Sequence, residues 1–106
     1  MTLNDKEIKL QVFESALWDS YQRIFSKERT LYVSLHRVME RVGLPLDLFN
    51  ERLQELWNKQ FTSESKYTIS LEPDATPTEY YRLRKKHIII DNCPMFIIQM
   101  TKRKED

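Results

Sequence analysis

Glycine is nearly absent from this chain: Gly43 is the only one in 106 residues. That excludes a G-x-G-x-x-G turn and a P-loop, because both need several glycines to bring backbone N–H groups against a phosphate. Cysteine is equally scarce. Cys93 stands alone, so no internal disulfide framework exists, and a reducing cytoplasm is the expected compartment. The opening MTLNDKEIKL also lacks the basic-then-apolar pattern of a signal peptide. No apolar run approaches the roughly 20 residues that span a bilayer, so no membrane partner is expected.

Histidine is scarce too. His36 and His87 are far apart in sequence and neither belongs to a spaced ligand motif, so no metal site and no cofactor are expected. Cys93 beside Pro94 lacks any sequence signal for a base or an oxyanion donor, which favours a buried or turn-capping thiol over a nucleophile. No catalytic residue is assigned, and the chain reads as a non-enzyme.

Net charge is only +1 from 17 basic and 16 acidic residues, which excludes binding to nucleic acid by bulk charge alone. The charges are unevenly spread. The first 29 residues balance, residues 30–75 are acidic by two, and residues 76–106 are basic by three. The basic excess lies in RLRKKH (82–87) and TKRK (101–104).

What is present is amphipathic pattern. Leu10, Phe13, Leu17, Tyr21 and Ile24 recur at spacings of three and four, which predicts one long helix over 4–27. Trp18 and Phe25 lie beside that stripe, with Ile8 and Val12 on a different side. A helix apolar in two directions packs on two partners, and the second is expected to be another subunit, with Trp18 and Phe25 at a homodimer seam.

Thr30-Leu31-Tyr32-Val33 is β-favouring, and Ser34 is a good N-cap for a helix over 35–42. Leu35, Val38, Met39 and Val42 form its buried face. Gly43 stops it, since glycine takes positive φ without a Cβ clash. Leu44-Pro45 turns the chain into a second helix, from Asp47 or a neighbour to about Gln60. Its core face is Leu46, Phe49, Leu53, Leu56 and Trp57; Asp47, Leu48, Glu51, Arg52, Glu55, Asn58 and Lys59 lie opposite.

YTISL (67–71) alternates as a half-buried strand does. Thr76-Pro77-Thr78-Glu79 is a capping box with proline at the first helical position, which predicts a short helix over 77–86. HIIID (87–91) and MFIIQM (95–100) read as strands around an Asn-Cys-Pro turn. The fold class is therefore α+β in a single domain: an N-terminal helix over 1–29, a core over 30–100, and a charged tail over 101–106.

The order helix, short strand, helix, helix, strand and further strands, with Gly43 between the paired helices, resembles the winged-helix superfamily over roughly residues 30–100. That resemblance implies three helices backed by a small antiparallel sheet, with the long N-terminal helix and the 77–86 helix as additions, the latter where a wing loop is usual. It also implies a reading helix whose N-terminal part enters the major groove of duplex DNA. Here that helix is 47–60, and Asn50, Arg52, Gln54 and Asn58 are its candidate base-reading residues. Its Asp47, Glu51 and Glu55 repel phosphate. Arg82, Arg84, Lys85 and Lys86, beside Tyr80 and Tyr81, form a candidate phosphate-contacting edge that Lys102, Arg103 and Lys104 extend. Two functions fit. The leading one is a small nucleic-acid-associated protein, DNA-binding or regulatory; the alternative is a protein-interaction module that kept the scaffold without the DNA contact.

Overall fold

The computed structural model describes residues 5–29, 32–60, 66–74 and 87–103, with side chains from Lys9 onward. Within them the chain runs α1 (Asp5–Glu28), β1 (Val33–Ser34), α2 (Leu35–Val42), α3 (Leu46–Lys59), β2 (Tyr67–Glu72), β3 (Ile88–Ile90), β4 (Cys93–Met95) and β5 (Ile97–Lys102). This is an α+β fold with three helices and a small antiparallel sheet. The helix expected over 77–86 lies outside the described residues.

α1 buries the expected stripe. Phe13, Leu17, Tyr21 and Ile24 are in the core, and Leu10 packs partly against it. The helix ends at Arg29, whose N–H reaches the Phe25 carbonyl at 2.7 Å with φ at 53°. A left-handed arginine carries the Cβ clash that Gly43 avoids. A pair between Arg37 and Glu28 ties this end of α1 to α2.

Gly43 ends α2 with φ at 83° and donates its N–H to the Met39 carbonyl at 3.0 Å. The other end of α2 departs from expectation. Ser34 holds the N-cap position, but its hydroxyl makes no capping bond. Instead Ser34 belongs to β1, and the Leu35 N–H is taken by the Phe96 carbonyl at 2.9 Å. α3 starts at Leu46 with Pro45 before it, and the Pro45 carbonyl accepts the Phe49 N–H at 2.9 Å.

The main sheet has the order β1-β5-β2, both pairings antiparallel, with Val33 opposite Ile98 and Ile69 opposite Met100. Gln60 locks α3 to it. Its buried side-chain oxygen accepts the Ile69 N–H at 2.7 Å, satisfying a β2 group that β5 does not take. Leu17, Val33, Leu35, Val38, Phe49, Leu53, Ile88, Ile90 and Ile98 are fully enclosed where α1, α2, α3 and the strands meet, with Phe13 edge-on to Phe49 at 5.5 Å.

The C-terminal strands correct the expected turn. Asp91 and Asn92, with φ of 53° and 63°, make a two-residue hairpin turn, and Cys93–Met95 is a strand. Two consecutive left-handed residues match the right-handed twist of a hairpin, and Asp and Asn tolerate that conformation best after glycine. β3 and β4 pair as a separate two-stranded sheet, Ile90 opposite Cys93 and Ile89 opposite Pro94. Phe96 then interrupts the expected 95–100 strand as the chain passes from this hairpin into the centre of the main sheet.

Candidate functional site

The β3–β4 hairpin lies along one flank of α3. Ile88 and Ile90 point inward and are fully buried, while Ile89 between them is exposed. In a two-residue hairpin, Ile90 and Cys93 form the hydrogen-bonded closing pair, so the next pair, Ile89 and Pro94, turns its backbone groups outward. That register is why Pro94 fits: its missing N–H falls on the side away from β3. The outward N–H and C=O of Ile89 meet Asn50, whose Oδ1 accepts at 2.6 Å and whose Nδ2 donates at 2.8 Å. The Asn50 amide thus serves β3 as a neighbouring strand would.

One turn along α3, Gln54 repeats the arrangement at the hairpin tip. Its Oε1 accepts the Asp91 N–H at 2.8 Å, and its Nε2 donates to Asp91 Oδ1 at 2.9 Å. The second Asp91 oxygen accepts the Trp57 Nε1–H at 2.8 Å. Asn50, Gln54 and Trp57 stand at i, i+4 and i+7, a single flank of one helix.

This arrangement redistributes the four residues expected to read bases. Asn50 and Gln54 spend their amides on the hairpin. Asn58 is exposed, and its Oδ1 accepts from Gln54 Nε2 at 3.1 Å. Arg52 points toward the α1 side, where only 15% of its side chain is exposed, with Glu55 at 3.3 Å and Glu51 at 3.7 Å. The exposed residues of α3 are Asp47, Glu51 and Asn58, an outward ridge with two carboxylates and no cation.

Lifting the hairpin would expose Ile88 and Ile90, which costs about 3–6 kcal/mol together before any hydrogen bond is counted. That holds the open form below about one molecule in a hundred.

Arg82, Arg84, Lys85 and Lys86 lie outside the described residues, as does Lys104. Lys102 is exposed at the end of β5. Arg103 folds back: its Nε donates to Thr68 Oγ1 at 3.3 Å, and its Nη2 donates to the Gln60 carbonyl. Trp18 and Phe25 are half-buried in their own domain. Trp18 stacks on Tyr67 at 4.7 Å between ring centroids, and Phe25 on Tyr21 at 5.9 Å.

Two histidines with no apparent relation in sequence meet on one ring. His36 stacks on Phe96 at 5.9 Å, and His87 approaches it edge-on at 5.2 Å. Among the described residues, no three histidine, cysteine or acidic side chains gather as metal ligands. No described helix is long and apolar enough to cross a membrane.

A small cleft of about 160 Å³ opens where α1 passes the end of α3, lined by Gln11, Glu14, Ser15, Lys59, Lys66 and Tyr67 among others. Burial raises the Glu14 carboxyl above its ordinary range, and the nearby Lys59 and Lys66 charges partly oppose that. The Tyr67 hydroxyl is raised by burial and by the Glu14 charge.

No protein family, no curated protein and no solved structure matches this chain.

Trp57, expected as a core-face residue of the second helix, and Asp91, expected at a strand end, carry the hairpin junction. A weak signal existed: Asp and Asn tolerate the left-handed backbone of a two-residue turn, and Ile88 and Ile90, two apart before it, share one face of a strand.

Proposed function

We propose that this chain is a winged-helix-like protein-interaction module rather than a reader of DNA sequence. The scaffold reading is supported by chain order and sheet order together. Two helices joined by a tight turn follow a short strand, and the sheet runs β1-β5-β2, so the segment between β2 and β5 takes the place of a wing. In this chain that segment carries the β3–β4 hairpin.

The observation that carries the functional reading is the hairpin on α3. A reading helix needs free amides or guanidinium groups on an open face. Here Asn50 and Gln54 are engaged internally, Arg52 is turned aside, and Asp47 and Glu51 dominate what remains. Two carboxylates aimed at a phosphate lattice repel it, whereas a protein partner with basic side chains matches them. The basic groups at 82–86 and 102–104 support a lesser alternative, association with nucleic acid through phosphate alone, which reads no sequence.

Selection of duplexes from a random pool, followed by anisotropy titration over a salt series, separates these readings. The interaction module selects no motif. Any duplex it holds at low salt is released steeply as salt rises. Enrichment of one motif whose binding is lost in Asn58→Ala, an exposed site that leaves the fold intact, would overturn the proposal.

A further inference from the structure

The polar cleft where α1 passes the end of α3 draws both signs of charge into one space of about 160 Å³. Three parts of the chain supply them. Glu14 comes from α1, Lys59 from the last turn of α3, and Lys66 with Tyr67 from the start of β2. Glu14 lies beside Gln11 and Ser15 on one side of α1, since positions three and four apart are neighbours on a helix. Leu10 and the enclosed Leu56 give the same cleft an apolar wall.

The opposite charges face one another without closing. Lys59 and Lys66 both act on the Glu14 carboxylate, yet among the described residues neither forms an ion pair with it. Burial costs that carboxylate more than the two lysines return, which is why its carboxyl stays raised. An ammonium group arriving beside Glu14 supplies a charge-assisted donor, and a carboxylate arriving beside the lysines supplies an acceptor. A ligand with only one of these charges meets repulsion: a cation from the two lysines, an anion from Glu14. Size narrows the choice further. A cavity of roughly 150 Å³ holds one benzene, so this cleft takes a ligand of about six heavy atoms. An ammonium group, a carboxylate and a short carbon skeleton use up that number.

We propose that the cleft binds a small zwitterion, a free α-amino acid with a short side chain. Its ammonium group donates to Glu14, its carboxylate accepts from Lys59 and Lys66, and its side chain packs on Leu10 and Leu56. Convergent polar groups on an apolar wall are the usual make-up of a small-ligand site. Such a site is separate from the outward ridge of α3 and adds a ligand to the interaction module.

Titration of the full chain, followed by the amide resonances of Ser15, Lys66 and Tyr67, tests this with three probes: L-alanine, ethylamine and propionate. L-alanine should move those resonances with a Kd below about 1 mM. Ethylamine and propionate, each keeping one charge, should bind at least about tenfold more weakly. Glu14→Gln, close to isosteric, should weaken L-alanine at least about tenfold and leave propionate as tight or tighter. Lys66→Met, at an exposed position, should weaken L-alanine and leave ethylamine as tight or tighter. No movement of these resonances at about 20 mM L-alanine overturns the proposal. So do equal affinities for the three probes, or variants that change all three alike. None of these results bears on duplex selection, so failure here and failure of the α3 reading stay distinct.

Discussion

The two flanks of α3 are closed by different means. On one side the β3–β4 hairpin supplies two fully buried isoleucines and a line of amide bonds from Asn50 and Gln54. On the other, α1 packs against α3 and leaves an apolar groove near Leu48 and the polar cleft near Lys59. The hairpin flank uses polar side chains to satisfy backbone groups that have no strand beside them. The α1 flank uses side-chain packing and leaves surface uncovered. The open flank is where apolar side chains of α1 and α3 stay uncovered.

The largest expected effect attacks the sealed flank. Ile90→Ala removes a fully enclosed side chain and should cost about 2–5 kcal/mol in denaturant unfolding. A loss under about half a kilocalorie would mean that the hairpin is not part of the core. Asn50→Ala sharpens the same comparison. It deletes two hydrogen bonds at a site that water reaches, so about 1–2 kcal/mol is expected, well below the isoleucine. If it exceeds Ile90→Ala, the polar bonds rather than the isoleucines hold the hairpin.

On the open flank, Gly43 aims Leu44 into the base of the groove. Nothing lies within 4 Å of where a Cβ would stand, so Gly43→Ala meets no neighbour and suffers only the penalty of φ at 83°. About 1 kcal/mol is expected from equilibrium unfolding, and no loss would remove the turn argument.

The smallest effect is electrostatic and depends on pH. Glu14 is raised in the folded chain, so the folded state favours its protonated form. Its favourable contribution is therefore present below the unfolded carboxyl range and lost as pH rises through the raised folded value. Glu14→Gln should leave stability unchanged in acid and raise it slightly near neutrality. Thermal unfolding of both proteins across that range checks the sign; destabilisation near neutrality would mean that the Lys59 and Lys66 charges outweigh burial.

Local chemistry made much of the fold legible in sequence. The Phe13, Leu17, Tyr21, Ile24 stripe, the Gly43 stop and the YTISL alternation each depend on near neighbours, and each stands where expected. The hairpin was less legible because Pro94 draws the eye as a turn residue. Its tolerance inside β4 depends on which side of the ladder its nitrogen faces, a matter of register with Ile89. Arg29 was hidden for a related reason, since left-handed arginine has no sequence signature. The site was hardest to read. Asn50 and Gln54 look the same in sequence whether they face a base edge or a backbone 37 to 39 residues further on, and only the folded hairpin decides which. The groove is likewise formed by α1, the Gly43 turn and α3 together.

The central claim is that the hairpin seals α3, and amide exchange read by nuclear magnetic resonance tests it most directly. The amides of Ile89 and Asp91, held by Asn50 and Gln54, should exchange slowly although both residues are exposed. They should stay slow, with α3 resonances unmoved, when duplex DNA is added at low salt. Rapid exchange of both amides in the free protein, or α3 resonances that shift as their protection is lost on adding duplex, would contradict the account.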